Sequence, residues 1–121
     1  LDDMGVEEFS IGDTIGVAHP AAVEAVFELL LKRWPPGRLA LHAHDTRGAA
    51  LANCLQALRM GIQTFDASAG GVGGCPYAPG AKGNVATEAV ARMLEGQGFA
   101  TGLDHASLAE AARFAQSLRS V

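Results

Sequence analysis

A chain of 121 residues, 49% hydrophobic and 18% charged, fits one domain able to bury a core, and that balance excludes intrinsic disorder. It is too short to close an eight-stranded barrel of alternating strands and helices, which takes about 250 residues. Nine basic against 13 acidic residues give a net charge of −4, and no basic run interleaves with aromatics, so neither nucleic acid nor an anionic membrane is an expected partner.

In chain order, Val6 to Ile11 reads as a short strand ending in Gly12-Asp13-Thr14. His19-Pro20 opens a helix, since proline suits the first helical position. Val23, Val26, Phe27, Leu30, Leu31 and Trp34 form its apolar stripe, and Pro35-Pro36-Gly37 stops it. Leu39 to His44 is a second strand, followed by a helix through Leu51, Cys54, Leu55 and Leu58 that closes at Gly61. Ile62 to Ala67 is a third strand, and a long loop runs from there to Asn84. A helix carrying Val90, Met93 and Leu94 ends at Gly96, and a last helix spans about Ser107 to Leu118, with Ser107 and Glu110 spaced as a capping box. Strands alternating with helices predict an α/β fold with parallel strands. Three such units make either a small open sheet or the last part of a barrel, and composition does not choose between them.

Two cysteines, Cys54 and Cys75, cannot build a disulfide framework, so a reducing compartment is the default. Asp13, Glu24, Lys32 and Arg33 interrupt every apolar run that approaches membrane-spanning length. The acidic opening LDDMGVEEF has neither the basic nor the apolar region of a secretory signal.

His42-Ala43-His44-Asp45 is the first candidate for chemistry. Residues i and i+2 of a strand face the same way, so both imidazoles point to one side at a strand's C-terminal end, where active sites of parallel α/β folds lie. Imidazole is the commonest metal-ligating side chain. The alternative is a polar pair capping the next helix. The second candidate is the loop Gly70–Gly83, which holds six of the 15 glycines together with Pro76, Pro79 and Cys75. Loops of this length are usually lids, binding loops or disordered. Its spacing fits neither a P-loop nor a dinucleotide fingerprint. Cys75 reads either as a thiol delivered to a closed site or as an incidental loop residue. Asp13 shares the C-terminal rim with His44 and, by itself, reads as a turn or cap carboxylate. Asn84 reads first as a helix N-cap. Glu88 is favourable near a helix N-terminus. Cys54 reads as core, and His19 and His105 are given no chemical role.

Four motifs occur in order: Gly12-Asp13-Thr14-Ile15-Gly16, His42-Ala43-His44-Asp45-Thr46, Gly73-Gly74-Cys75-Pro76-Tyr77-Ala78 and Gly83-Asn84-Val85-Ala86-Thr87-Glu88. Together they resemble the 3-hydroxy-3-methylglutaryl-CoA lyases, a family of the metal-dependent lyase and synthase superfamily built on a TIM barrel. His-x-His and Gly-Asp-Thr are shared with related synthases. The Gly-Gly-Cys-Pro-Tyr loop followed by Gly-Asn-x-Ala-Thr-Glu is more specific to the lyases. Gly70 and Val72 stand where the family signature usually has Ala and Leu.

The resemblance implies that residues 1–121 form the C-terminal part, about three βα units, of a (β/α)8 TIM barrel with Gly70–Gly83 as active-site loop. It implies Mg²⁺ or Mn²⁺ held by His42, His44 and Asn84, with Cys75 essential for turnover and Asp13 an acid/base or orienting carboxylate. The implied reaction is retro-Claisen cleavage of an acyl-CoA substrate, 3-hydroxy-3-methylglutaryl-CoA, to acetyl-CoA and acetoacetate, in leucine degradation and ketone body formation. Alternatives are a condensing synthase or aldolase of the same superfamily, or a non-catalytic metal-binding fragment. The implied partners are a second copy, as in the family's dimer, or the missing N-terminal part of the barrel. The implied location is cytoplasmic in a bacterium and mitochondrial or peroxisomal in a eukaryote. Without the upstream carboxylate ligand and arginine, the chain alone is expected to be inactive, with Leu39 and Leu41 on an exposed inner face.

Overall fold

A computed structural model describes residues 1–74 and 83–120. Three parallel strands, β1 (Phe9–Gly12), β2 (Leu39–His42) and β3 (Thr64–Asp66), pair in sequence order. Helix α1 (Pro20–Leu31) joins the first two and α2 (Ala50–Arg59) the last two. Helices α3 (Thr87–Gly96) and α4 (His105–Ser117) follow. These are strand–helix units in sequence order on a parallel sheet, the arrangement that the resemblance implied for the C-terminal part of a (β/α)8 TIM barrel.

Register decides which side chains share a face. Ile11, Leu41 and Phe65 are cross-strand partners, and so are Gly12, His42 and Asp66. The first row, with Phe9 and Leu39, turns toward the helices and packs with Val23, Phe27, Cys54 and Ala57. The second row, with Ser10, Ala40 and Thr64, therefore forms the opposite face, the interior of a barrel. Leu39 and Leu41 are 0% and 3% exposed, which corrects their expected place on the inner face. Once His42 holds that face, the two-residue period sends its neighbours at 39 and 41 outward.

Phe27 is 1% exposed at the centre of this core, where truncation to Ala would cost about 3–5 kcal/mol. The α1 stripe is narrower than expected. Val26 is 43% exposed, and the helix ends at Leu31. Trp34 lies beyond it, tilted against Phe9 with ring centroids 4.9 Å apart, its indole donating to Asp2 at 3.2 Å. In α2 the buried residues are Ala50, Asn53, Cys54, Ala57 and Leu58, while Leu51 points outward.

Three further boundaries differ from expectation. The first strand starts at Phe9, opposite Leu39 where its partner strand starts, and Arg38 donates to the carbonyls of Val6 and Glu7 just before it. The last helix begins at His105, capped by Asp104, whose carboxylate accepts from Ser107 N at 2.7 Å. Ser107 thus sits inside the first turn and forms no capping box. Asn84 is not an N-cap either, since α3 starts at Thr87 with Ala86 before it.

Both outer strands leave a groove at their side of the sheet. One of about 360 Å³ lies beside β3, lined by Phe65, Val90, Leu94 and Phe99 together with Gln63 and Thr101. The other, of about 140 Å³, lies beside β1 between Ile11, Val26 and Phe27.

Candidate active site

The site lies at the C-terminal ends of the strands. His42 is the last residue of β2, and His44 follows in an isolated antiparallel bridge to Asn84. That bridge is tied by Val85 N donating to Ala43 O and Asp45 N donating to Gly83 O, each at 3.1 Å. It brings the backbone of Asn84, 40 positions along the chain, alongside that of His44. The imidazole centroids are 5.0 Å apart in an edge-to-face arrangement.

Each imidazole is held through the same ring nitrogen. His44 Nδ1 donates to the main-chain carbonyl of Asp13 at 2.9 Å. A carbonyl can only accept, so this bond places a proton on Nδ1, and in the neutral ring the free electron pair is then on Nε2. His42 Nδ1 lies 3.3 Å from Asp66 Oδ2, and Ser10 Oγ donates to the same oxygen at 2.5 Å.

Asn84 has its amide oriented in the same way. Its Nδ2 donates to Val72 O at 3.1 Å, while Oδ1 is buried and has no partner. A buried amide oxygen without a donor costs about 1–3 kcal/mol, and a cation would supply what it lacks. Two imidazole nitrogens and one amide oxygen suit a divalent ion that still requires a carboxylate to balance its charge. Among the described residues no group of three or more His, Cys, Asp or Glu side chains is placed to hold a metal ion. The two imidazoles and the amide oxygen are donor types that Mg²⁺ or Mn²⁺ accepts, and they leave its charge unbalanced.

Asp13 occupies the same rim. Its carboxylate accepts from Val17 N and Ala18 N, each at 3.1 Å, and so fixes the loop entering α1. Two acceptor positions remain on a carboxylate engaged in this way. Cys75 lies outside the described residues, as does most of the tip of Gly70–Gly83.

The two ends of that loop are defined by close packing. A Cβ on Gly73, at φ +97°, would stand 2.7 Å from Asn84 Nδ2, and one on Gly83 would strike the carbonyls of Gly73 and Gly71. Gly70 N donates to both carboxylate oxygens of Glu88 at 3.1 Å, and Gly70 O accepts from Gln116 Nε2 at 3.1 Å. Glu88 thus does more than complement a helix N-terminus: it anchors the base of the loop. Of the two histidines expected to have no role, His19 caps α1 by accepting from Ala22 N, and His105 pairs with Glu95 at 2.6 Å. Sequence reading missed Asp66 and Ser10. The available signal was their position, since acid and hydroxyl groups at the inward positions of short strands have no core to stabilise.

A family model described as HMGL-like matches residues 1–115. The chain belongs to the HMGL-like family. Over 114 residues it is 55% identical to the hydroxymethylglutaryl-CoA lyase of Bacillus subtilis, a match covering 94% of this chain and 38% of that protein. Its structure is similar to that of the HMG-CoA lyase from Brucella melitensis, with a TM-score of 0.96 and 50% identity, covering 99% of this chain and 42% of the other. An HMG-CoA lyase from Acinetobacter baumannii in complex with coenzyme A and 3-methylmalate aligns with a TM-score of 0.83 at 40% identity, over 92% of this chain and 36% of that one. The chain thus spans well under half the length of the family members it matches.

Proposed function

We propose that the chain supplies the histidine end of the active site of a hydroxymethylglutaryl-CoA lyase, acting with the remaining strands of the barrel. The observation that carries this is three candidate donors at one end of the sheet: two imidazoles 5.0 Å apart, each engaged through Nδ1, and an Asn84 oxygen, in the residue bridged to His44, buried without a partner. The HMGL-like match, and the lyases it resembles, support the substrate class.

In this reading His42, His44 and Asn84 hold Mg²⁺ or Mn²⁺. The cation, when bound, polarises the substrate's tertiary hydroxyl and carboxylate oxygens. Asp13 accepts the hydroxyl proton as the bond between C3 and the thioester α-carbon breaks. The hydroxyl carbon becomes the ketone of acetoacetate, and the bond's electron pair moves to the α-carbon of acetyl-CoA. Cys75 donates a proton to that carbon before it can add back, a general-acid step worth about 10²–10⁴-fold.

The outer edges of β1 and β3 need strand partners, and the two grooves need the helices that accompany them. The partner proposed for this chain is accordingly the rest of its own barrel. The test is acetoacetate formation and Mn²⁺ binding in a chain extended to the full barrel. Metal-dependent cleavage that is lost with Mn²⁺ binding in the His42→Ala/His44→Ala variant supports the reading. Full binding in that variant would overturn it.

A further inference from the structure

We propose that Asp66 is a positioning carboxylate that sets the orientation and donor strength of His42, with Ser10 holding Asp66 in place. The proposal rests on the metal-site reading above and assigns roles to two residues outside its ligand set.

Asp66 is level with His42 in the parallel register, so both project from the same face of neighbouring strands. Its Oδ2 lies 3.3 Å from His42 Nδ1. The same oxygen accepts the Ser10 hydroxyl at 2.5 Å, from the far side of β2. Ala40 pairs with Ser10 in the register and presents only a methyl group between them, which leaves the path open. Three strands therefore contribute one residue each to a continuous line, Ser10–Asp66–His42. Among the described residues Asp66 has no lysine or arginine partner. Its place on the inner face gives it no apolar core to support.

The two imidazoles are consequently unequal. His44 leans on a neutral main-chain carbonyl and His42 on a carboxylate. A carboxylate at Nδ1 fixes the tautomer with the free pair on Nε2 and makes that pair the stronger donor. It also adds negative charge near a cation whose ligands in this chain are all neutral. The serine matters because an unrestrained aspartate would rotate between its two oxygens, and the hydroxyl selects one.

The experiment measures Mn²⁺ affinity, and the nitrogen couplings of bound Mn²⁺ by electron spin resonance, in the full-barrel protein. Asp66→Asn keeps the shape and an oxygen acceptor but removes the charge, and its Mn²⁺ affinity should fall by about 10–100-fold, the usual effect of losing such a partner. Its melting temperature should stay close to the parent's. Ser10→Ala should weaken binding less, and Asp66→Glu should recover part of the loss. Parental affinity in Asp66→Asn would overturn the role of Asp66. If the parent shows no imidazole nitrogen on Mn²⁺, the metal-site reading itself fails, an outcome distinct from the first. If Asp66→Asn does not fold, the ordering of the parent, Ser10→Ala and Asp66→Glu decides the question, and equal affinity in all three overturns the proposal.

Discussion

His44 Nδ1 donates to the main-chain carbonyl of Asp13, not to its carboxylate, at 2.9 Å. The two halves of Asp13 thus have separate duties. Its carbonyl orients a candidate ligand, and its side chain braces the loop to α1 through Val17 N and Ala18 N. An isosteric side-chain substitution retains the carbonyl, which makes the two separable by experiment.

Asp13→Asn should therefore keep Mn²⁺ affinity while turnover falls by about 10²–10⁴-fold, the range for losing a general acid or base. Calorimetry beside an acetoacetate assay on the full-barrel protein checks both. A parallel loss of metal affinity would show that the side chain, and not the carbonyl, orients His44.

Gly73→Ala should be damaging without touching any reacting group. Its φ is +97°, and the added methyl would lie 2.7 Å from Asn84 Nδ2. The backbone alone should cost about 1–3 kcal/mol. The displaced amide should also weaken Mn²⁺ binding, so both a thermal melt and a metal titration should shift. A normal titration with a lowered melt would separate Gly73 from the orientation of Asn84.

Cys54 should resist alkylation in the folded protein. It is fully buried on α2, and desolvation by that burial, with the nearby Asp45 charge, pushes its thiol up to about 12. The thiolate is the reactive form. Mass spectrometry after iodoacetamide at pH 8 should find Cys54 unmodified until denaturant is added. Rapid native labelling at Cys54 would mean that α2 opens readily.

The corner between α3 and α4 should loosen in acid. Hydrogen bonds from Thr101 and then His105 lower the Glu95 carboxyl, and the Ser107 amide and hydroxyl lower Asp104. A carboxyl depressed by folding contributes stability above its unfolded value and loses it as pH falls through the folded one. The loss should thus begin near the ordinary values of 4.5 and 3.8 and continue below them. The protection of amides at Phe99–Leu108 against exchange, relative to the unstructured rate at each pH from 6 to 3, should fall there first. Glu95→Gln should flatten that profile, and an unchanged profile would remove Glu95 from the account.

Much of this protein was legible from local pattern alone. The i, i+2 spacing brought His42 and His44 together at one strand end, and Gly/Pro punctuation separated three strand–helix units. Four motifs in order carried the family, because chemistry that needs particular side chains leaves them at recognisable spacings. Period alone did not say which face was which, and Leu39 and Leu41 were expected on the wrong one. That is settled by which face the helices cover, a property of the whole packing arrangement.

Only the tertiary structure decided what accompanies each candidate ligand. Asp66 meets His42 because parallel register aligns residues 24 positions apart. Asn84 keeps an unpartnered oxygen because Val72, on the other side of the loop, takes its amide hydrogen. Helix starts moved for the same reason: Asp104 caps α4 and Asn84 does not cap α3, since a capping side chain acts only where its backbone approach is right. Propensity depends on a residue and its near neighbours, and these contacts depend on residues the chain brings together only when the sheet forms.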